Sequence, residues 1–367
     1  MTGKVLILGG YGNFGKRIAA GLIRRDVPVI IAGRDAGKAE ACARSMGAQW
    51  AAFDLHSGLS EALRTHKPSV VVHTAGPYQN ADYGVAEACI AAGVHYVDLS
   101  DARDFVVGFD RLDAAARAAG VVAISGASTV PCLSSAVLDH FRDRFATLEA
   151  LDFGICPGQG AERGLATTAA ILSYVGRPLK PFAGHPKAYG WQGLRRHVFP
   201  HLGPRLMGDC DIPDLDLLPA AYGLRSIRFG AGLELGFIHL GLWALSWGVR
   251  WKLLPFPLAK LAKPLLKAAD LFDPLGSDDG GMFMVLSGTG LDGQALRLDW
   301  HIIARSGDGP HIPSVPAILL AERLAKGGGV DLGPAPGARS SLGQISLSDY
   351  LAALERFDIE VYNPPRR

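Results

Sequence analysis

The residues Gly10-Tyr11-Gly12-Asn13-Phe14-Gly15 have the G-x-G-x-x-G spacing that lets a backbone lie against a diphosphate. Gly10 would permit the tight turn, Gly12 would leave no Cβ in the path of the pyrophosphate, and Gly15 would let a helix pack closely on a strand. Gly10, Gly15 and Lys16 also have P-loop spacing, but Arg17 stands where a Ser or Thr would hold magnesium, which disfavours an NTPase. The cluster follows the apolar run Val5–Leu8 and precedes a helical pattern from Asn13, the context in which the spacing implies a dinucleotide. A second run, Val29–Ala32, ends in Gly33-Arg34, where an NAD site would carry an Asp or Glu for the ribose hydroxyls. The planar fork of Arg34, with Lys38 in the next helical turn, suits a 2′-phosphate, so NADP is expected over NAD. Asp54 and Leu55, just past the third strand, would border the adenine.

Hydride transfer would be the cofactor's own chemistry, leaving the protein to bind, orient and move one proton. Tyr78 and Asp101 are the candidate catalytic groups, and His95 could relay a proton. A second reading stands beside these: packing beside the cofactor is the stronger expectation for Tyr78, and capping of the helix that starts near Arg103 is at least as strong as chemistry for Asp98 and Asp101. His73, inside an apolar strand, reads as a core histidine. None of the nine tyrosines is followed four positions later by lysine, which excludes the short-chain dehydrogenase dyad. His197 and His201 have metal-ligand spacing, but Pro200 intervenes and no His-Glu-x-x-His string forms, so no metal site is expected. Arg163, Arg195 and Arg196 read as surface cations, with a carboxylate clamp as the alternative.

Strands that begin near Lys4, Pro28, Gln49, Ser69, His95 and Val121 alternate with helical stretches at Asn13–Arg25, Ala36–Met46, Gly58–His66, Ala81–Ala92 and Arg103–Ala119. That rhythm, with continuously apolar strands, predicts an α/β class fold with a doubly wound parallel Rossmann sheet. From Leu148 the pattern changes to more widely spaced strands at Leu148–Ile155, Ser226–Phe229, Met282–Ser287 and Ala295–Ala304. This predicts a second α+β domain with an antiparallel sheet. The expected division is 1–146 for the nucleotide domain, 147–305 for the substrate and dimerisation domain, and 306–367 returning to the first, with a Pro316–Lys326 helix and a Gly327–Arg339 loop. Pro131 is expected at the first position of a helix.

At 367 residues the chain is long enough for two domains, and 49 % hydrophobic against 20 % charged residues excludes large-scale disorder. A net charge of +2 argues against nucleic acid as a partner. Five scattered cysteines without a C-x-x-C pair, and an opening unlike a signal peptide, predict a cytoplasmic protein. Leu235–Val249 is apolar over 15 residues, short of a bilayer span. Three tryptophans in Leu235–Trp251 precede a stripe of Leu258, Leu261, Ala262, Leu265, Ala269 and Phe272, opposed by Lys260, Lys263 and Lys267 and interrupted at Pro264. Residues 235–272 therefore read as a sheet-covering or dimer-contact segment, or as a peripheral membrane contact. A homodimer is expected.

Thr74-Ala75-Gly76-Pro77-Tyr78 after the fourth strand, taken with Gly10–Gly15, Gly33-Arg34 and the His95–Asp101 strand end, resembles the NADP-binding domain of the saccharopine dehydrogenase family. A late Gly- and Pro-rich loop, Gly307–Ala317, is similar to one in the same family. The resemblance implies that Gly10, Gly12, Gly15, Arg34, Ala75, Gly76, Pro77 and Tyr78 line NADP, with Ala75–Tyr78 beside the nicotinamide ribose. It places Ser100, Ser128 and Thr129 on the wall of a small-molecule substrate site. The expected activity is NADP-dependent hydride transfer at a C–N or C=C bond. The alternatives are an NADP(H)-sensing binding protein that turns nothing over and a membrane-associated lipid or enoyl reductase.

Overall fold

The computed structural model describes residues 2–254, 256–327 and 335–363. Internal contacts divide the chain into two units, residues 1–136 with 311–350, and residues 137–310 with 351–367.

In the first unit β1 (Val5–Leu8), α1 (Asn13–Ile23), β2 (Val29–Gly33), α2 (Ala36–Met46), β3 (Gln49–Ala52), α3 (Leu59–His66) and β4 (Val70–His73) alternate strictly. The rhythm continues through α4 (Gly84–Ala91), β5 (His95–Asp98), α5 (Arg103–Val107), α6 (Asp113–Ala118) and β6 (Val122–Ser125). The one long helix expected over Arg103–Ala119 is in fact two, because Gly108 follows α5 and a tight 3-10 turn at Phe109–Leu112 leads into α6. All pairings are parallel, in the order β3-β2-β1-β4-β5-β6, with β13 (Gly337–Ser340) added beside β6. This is the doubly wound order, with its reversal between β1 and β4. Every residue of β1 is at most 1 % exposed, as a strand sandwiched between two helical layers must be. β3, at the edge, keeps Gln49, Trp50 and Ala52 in water.

The chain returns to this sheet through α12 (Val315–Ala325), which has Pro316 in its first turn, where a missing N–H costs nothing. It packs on α1, and a Cβ on Gly21 would come within 2.5 Å of Ile318 Cδ1. The predicted Gly327–Arg339 loop gives way to strand β13 from Gly337, while 328–334 lie outside the described residues.

The second unit is a mixed seven-stranded sheet, ordered β14-β12-β11-β7-β10-β9-β8. Its strands are β7 (Phe145–Cys156), β8 (Arg195–Phe199), β9 (Gly203–Asp209), β10 (Ser226–Leu233), β11 (Gly280–Gly290), β12 (Ala295–Ala304) and β14 (Ile359–Tyr362). β7 and β10 run parallel and every other pair is antiparallel. β14 joins this second sheet through β12, so the final segment does not follow α12 and β13 into the first unit. The helices are α7 (Ser134–Phe141), which joins the two units along the chain, α8 (Leu165–Tyr174), α9 (Asp214–Tyr222), α10 (Gly236–Arg250) and α11 (Ala262–Asp270), and α13 (Leu347–Ala352) lies between β13 and β14. Pro131 opens a helical run as expected: Val130 before it is extended, and Pro131–Leu133 form a wider turn that leads directly into α7 at Ser134.

Candidate cofactor-binding site

The turn after β1 shows why glycines are needed there. Gly9 adopts φ +76°, so the left-handed conformation belongs to it and not to Gly10. Gly10 instead allows close approach, since a Cβ there would come within 2.9 Å of both Ile7 O and Ile31 Cγ2. At Gly15 a Cβ would fall 2.3 Å from Gly9 O and 2.7 Å from Gly10 Cα, so only glycine lets α1 start tight against the turn. Gly12 differs: a Cβ there would meet only Gly9 O, at 3.1 Å, leaving its outer side open.

α1 begins immediately after Gly12, and no side chain caps it. Its first turn holds no acidic residue, Lys16 follows at once, and the Arg17 guanidinium donates to Asn13 O and Oδ1. First-turn amides directed outward along the axis, the positive end of the helix dipole and an adjoining cation together suit a diphosphate. The residues therefore fit a dinucleotide. Tyr11 and Phe14, with Asn13, shape this loop, and Tyr11 lies across Gly33, where a Cβ would be 2.2 Å from its ring. The Tyr11 hydroxyl accepts from the Asp35 backbone N–H at 3.3 Å.

At the end of β2 the Arg34 side chain is exposed, and among the described residues no carboxylate pairs with it. Asp35 caps α2 through the Lys38 N–H at 3.0 Å, and Lys38 Nζ lies 3.8 Å from Asp35 Oδ2. Arg34 is thus the free cation here, and Lys38 is shared with Asp35. Asp54, exposed past β3, accepts from His56 N at 2.9 Å, and Leu55 packs against the core.

The ends of β4 and β5 are in register, with His73 opposite Asp98. Beyond β4 run Thr74, Ala75, Gly76 and Pro77, the Gly76–Pro77 bond being cis, to Tyr78. Thr74 Oγ1 donates to Leu8 O at 2.9 Å, which ties this loop to the glycine turn. Tyr78 is buried, and its hydroxyl donates to His73 O at 2.6 Å. Burial holds that phenol well above its ordinary pKa, and its only proton is committed. This geometry favours the packing reading of Tyr78 over that of proton donor. His73 Nδ1 lies 3.0 Å from the Tyr96 hydroxyl, and burial pushes the imidazole down to about 4, so it is neutral at pH 7. His95 Nδ1 accepts from Val122 N at 2.9 Å, which commits it to joining β5 with β6.

Asp98 is fully buried, and its Oδ1 accepts from Ser100 N at 2.9 Å, Gly126 N at 2.9 Å and Ser125 Oγ at 3.0 Å. Burial outweighs these bonds and raises its pKa to about 6. The carboxyl clamps the loops after β5 and β6, and Ser341, just beyond β13, extends the clamp by donating to Gly126 O at 2.6 Å. Ser100 has no exposed surface, and its Oγ accepts from Ala102 N at 3.2 Å. It therefore supports this loop from within and is withdrawn from the expected substrate wall. Thr129 is also buried, at 8 % exposure, whereas Ser128 is partly open. Asp101 is exposed and accepts from Gln79 Nε2 at 3.3 Å, so it faces solvent at the end of β5 and does not cap α5, whose cap position is Ala102. Neither Gly9 nor the Asp98–Ser341 clamp was singled out by sequence spacing. The Gly9-Gly10 pair was a usable signal for the first, but nothing local announces a contact across more than two hundred residues.

Residues 5–124 match the family model for the saccharopine dehydrogenase NADP binding domain. That stretch is similar to the saccharopine dehydrogenase NADP binding domain. In fold it resembles the L-Glu-forming saccharopine dehydrogenase of Saccharomyces cerevisiae, at TM-score 0.65 and 12 % identity over 99 % of this chain and 100 % of that one. An amine dehydrogenase from Mycobacterium smegmatis aligns at TM-score 0.49 and 11 % identity over 93 % of this chain and 95 % of that one. Comparison with curated protein sequences finds no match.

The remaining sequence candidates lie in the second unit. Arg195 is no surface cation: it bonds Asp209 at 2.9 Å and Asp152 at 3.2 Å, and Arg228 joins the same Asp209 at 2.9 Å. Arg163 is paired with Asp270, at 2.9 Å, and with Asp273, while Arg196 is exposed. His197 stacks on Phe283 with ring centroids 3.6 Å apart and meets His301 at 3.0 Å, whereas His201 sits in the β8–β9 turn near Tyr362.

Proposed function

We propose that this chain is an NADP(H)-dependent oxidoreductase that moves a hydride to or from a C–N or C=C bond of a small substrate. The observation that carries the reading is the uncapped α1 N-terminus, opened by Gly12 and followed at the end of β2 by the unpaired Arg34. The diphosphate would lie on the first turn of α1, the 2′-phosphate on Arg34 with Lys38 beside it, and the ribose and nicotinamide along Ala75–Tyr78. When bound, the cofactor supplies or accepts the hydride. The chain's own residues orient it: Thr74 fixes the loop after β4, Tyr78 holds that loop through His73 O, and Asp98 fixes the loops after β5 and β6. Asp101 is the exposed carboxylate at the end of β5 and is assigned the proton.

Fluorescence titration with NADPH and NADH tests the cofactor assignment. Charge-assisted hydrogen bonds of roughly 1.5–3 kcal/mol predict that Arg34→Ala weakens NADPH by about 10- to 150-fold and leaves NADH nearly unchanged. Equal losses for both cofactors would remove Arg34 from the 2′-phosphate. The commitment of the Tyr78 proton favours one second reading, a binding protein without turnover. NADPH binding with no oxidation over a panel of imines, keto acids and enoyl compounds would select it.

A further inference from the structure

The outward side of α10 is unlike that of an ordinary solvated helix. Phe237, Leu240, Gly241 and Ala244 face solvent at helical spacing, with Phe237 53 % and Leu240 43 % exposed, and the only charge on the helix is Arg250, at its end. The chain then leaves the helix through Trp251 and Leu253, which are 63 % and 69 % exposed. α11 corrects the expectation of a helix broken at Pro264, because Pro264 lies in its first turn, where it is tolerated. Most of the apolar stripe packs inward, with Leu258 just before the helix and Ala262 within it buried and the segment set against α8, while Phe272 at its end stays exposed. What α11 shows to solvent is Lys263 and Lys267, in line with Lys260 before them and Leu271 after them, the last 78 % exposed. Phe272 meets Phe237 with ring centroids 5.3 Å apart, which joins the end of α11 to the start of α10 in one surface.

The charge on this surface is predominantly positive. No Asp or Glu occurs from 235 to 269, which contain Arg250, Lys252, Lys260, Lys263 and Lys267. The carboxylates that follow, Asp270 and Asp273, share Arg163, which leaves one negative charge between them against the five cations, and Glu234 before them is held by Arg205. Among the described residues none of the four lysines forms an ion pair. Exposed tryptophan and leucine interleaved with unpaired lysines match a bilayer interface, where apolar side chains enter the acyl boundary and cations meet anionic headgroups. Among the described residues no helix is long and apolar enough to cross a membrane, so the contact lies in the plane of the surface.

We propose that the outward faces of α10 and α11, with the Trp251–Leu253 connection, dock this chain on an anionic lipid bilayer. The inference is independent of the cofactor assignment. Its test is co-sedimentation of the full chain with vesicles of phosphatidylcholine alone and of phosphatidylcholine mixed equally with phosphatidylglycerol. Pelleting is expected with the anionic vesicles only and should decline as salt is raised. At about fivefold per lysine, the combined Lys260→Glu, Lys263→Glu and Lys267→Glu variant should bind roughly a hundredfold more weakly. A second variant, Leu253→Ser with Leu271→Ser, should also bind more weakly while melting as the parent does, since both positions are exposed. Absence of pelleting, equal pelleting on neutral vesicles, or binding that neither variant reduces would overturn the proposal. So would sedimentation equilibrium showing paired copies that both variants separate, because the occupant would then be a second copy of this chain.

Discussion

Replacing Asp98 with Asn tests the reading that a buried carboxyl clamps the loops of the candidate site. Burial raises this group from 3.8 to about 6. At about 1.4 kcal/mol per pH unit, that rise corresponds to about 3 kcal/mol. The native state favours the protonated form, so its contribution is full below the unfolded pKa. The contribution falls as pH rises from about 4 to about 6, because the unfolded chain ionises freely there while the native carboxyl resists. Asp98→Asn keeps the Oδ1 acceptor for Ser100 N, Gly126 N and Ser125 Oγ and removes the charge. The stability advantage of the variant over the parent should therefore grow by about 3 kcal/mol between pH 4 and 6 and stay level above that. Burial pushes His73 the opposite way, to about 4, so its contribution is lost as pH falls through the same window. Because His73 is present in both proteins, it cancels in the difference. Urea unfolding of parent and variant at intervals from pH 4 to 8 measures the effect, with a matching rise in Tm of roughly 2–4 °C per kcal/mol for a unit of this size. A difference that is flat across pH, or a variant less stable than the parent at pH 7, would refute the assignment of a strained buried carboxyl.

The glycines of the first turn should separate folding from binding. Gly15→Ala places a Cβ 2.3 Å from Gly9 O and should cost about 1–3 kcal/mol in thermal unfolding. Gly12→Val, open on its outer side, should keep most of the melting temperature and lose NADPH in titration; the reverse pattern would show that the diphosphate lies elsewhere. Tyr78→Phe removes a hydrogen bond to His73 O and should lower stability by about 1 kcal/mol, with turnover changed by only a few-fold. A loss of turnover of about a hundredfold or more, in the 10²–10⁴ range of acid–base catalysis, would restore the phenol as proton donor.

The nucleotide half was legible because its physics is local. Strands covered on both faces are continuously apolar, and a turn that must admit both a helix and a diphosphate tolerates little but glycine. What spacing left open is decided by how side chains turn and what packs on them. The Tyr78 phenol could be read as available or packed, and the fold turns it onto the carbonyl of His73, five residues earlier. Ser100 is serine in the right loop, yet the Asp98 clamp draws it inside. β8 alternates as a strand should, but Arg195 in its first position read as a surface cation because Asp152 and Asp209 come to it from other strands. Pro264 looked like a break only because the start of α11 was not recognised.

Crystals saturated with NADPH test the central claim most directly. Density for the diphosphate against the first turn of α1, with the 2′-phosphate on the Arg34 guanidinium, is the expected result. A diphosphate bound away from that turn, or the 2′-phosphate directed away from Arg34, would contradict it.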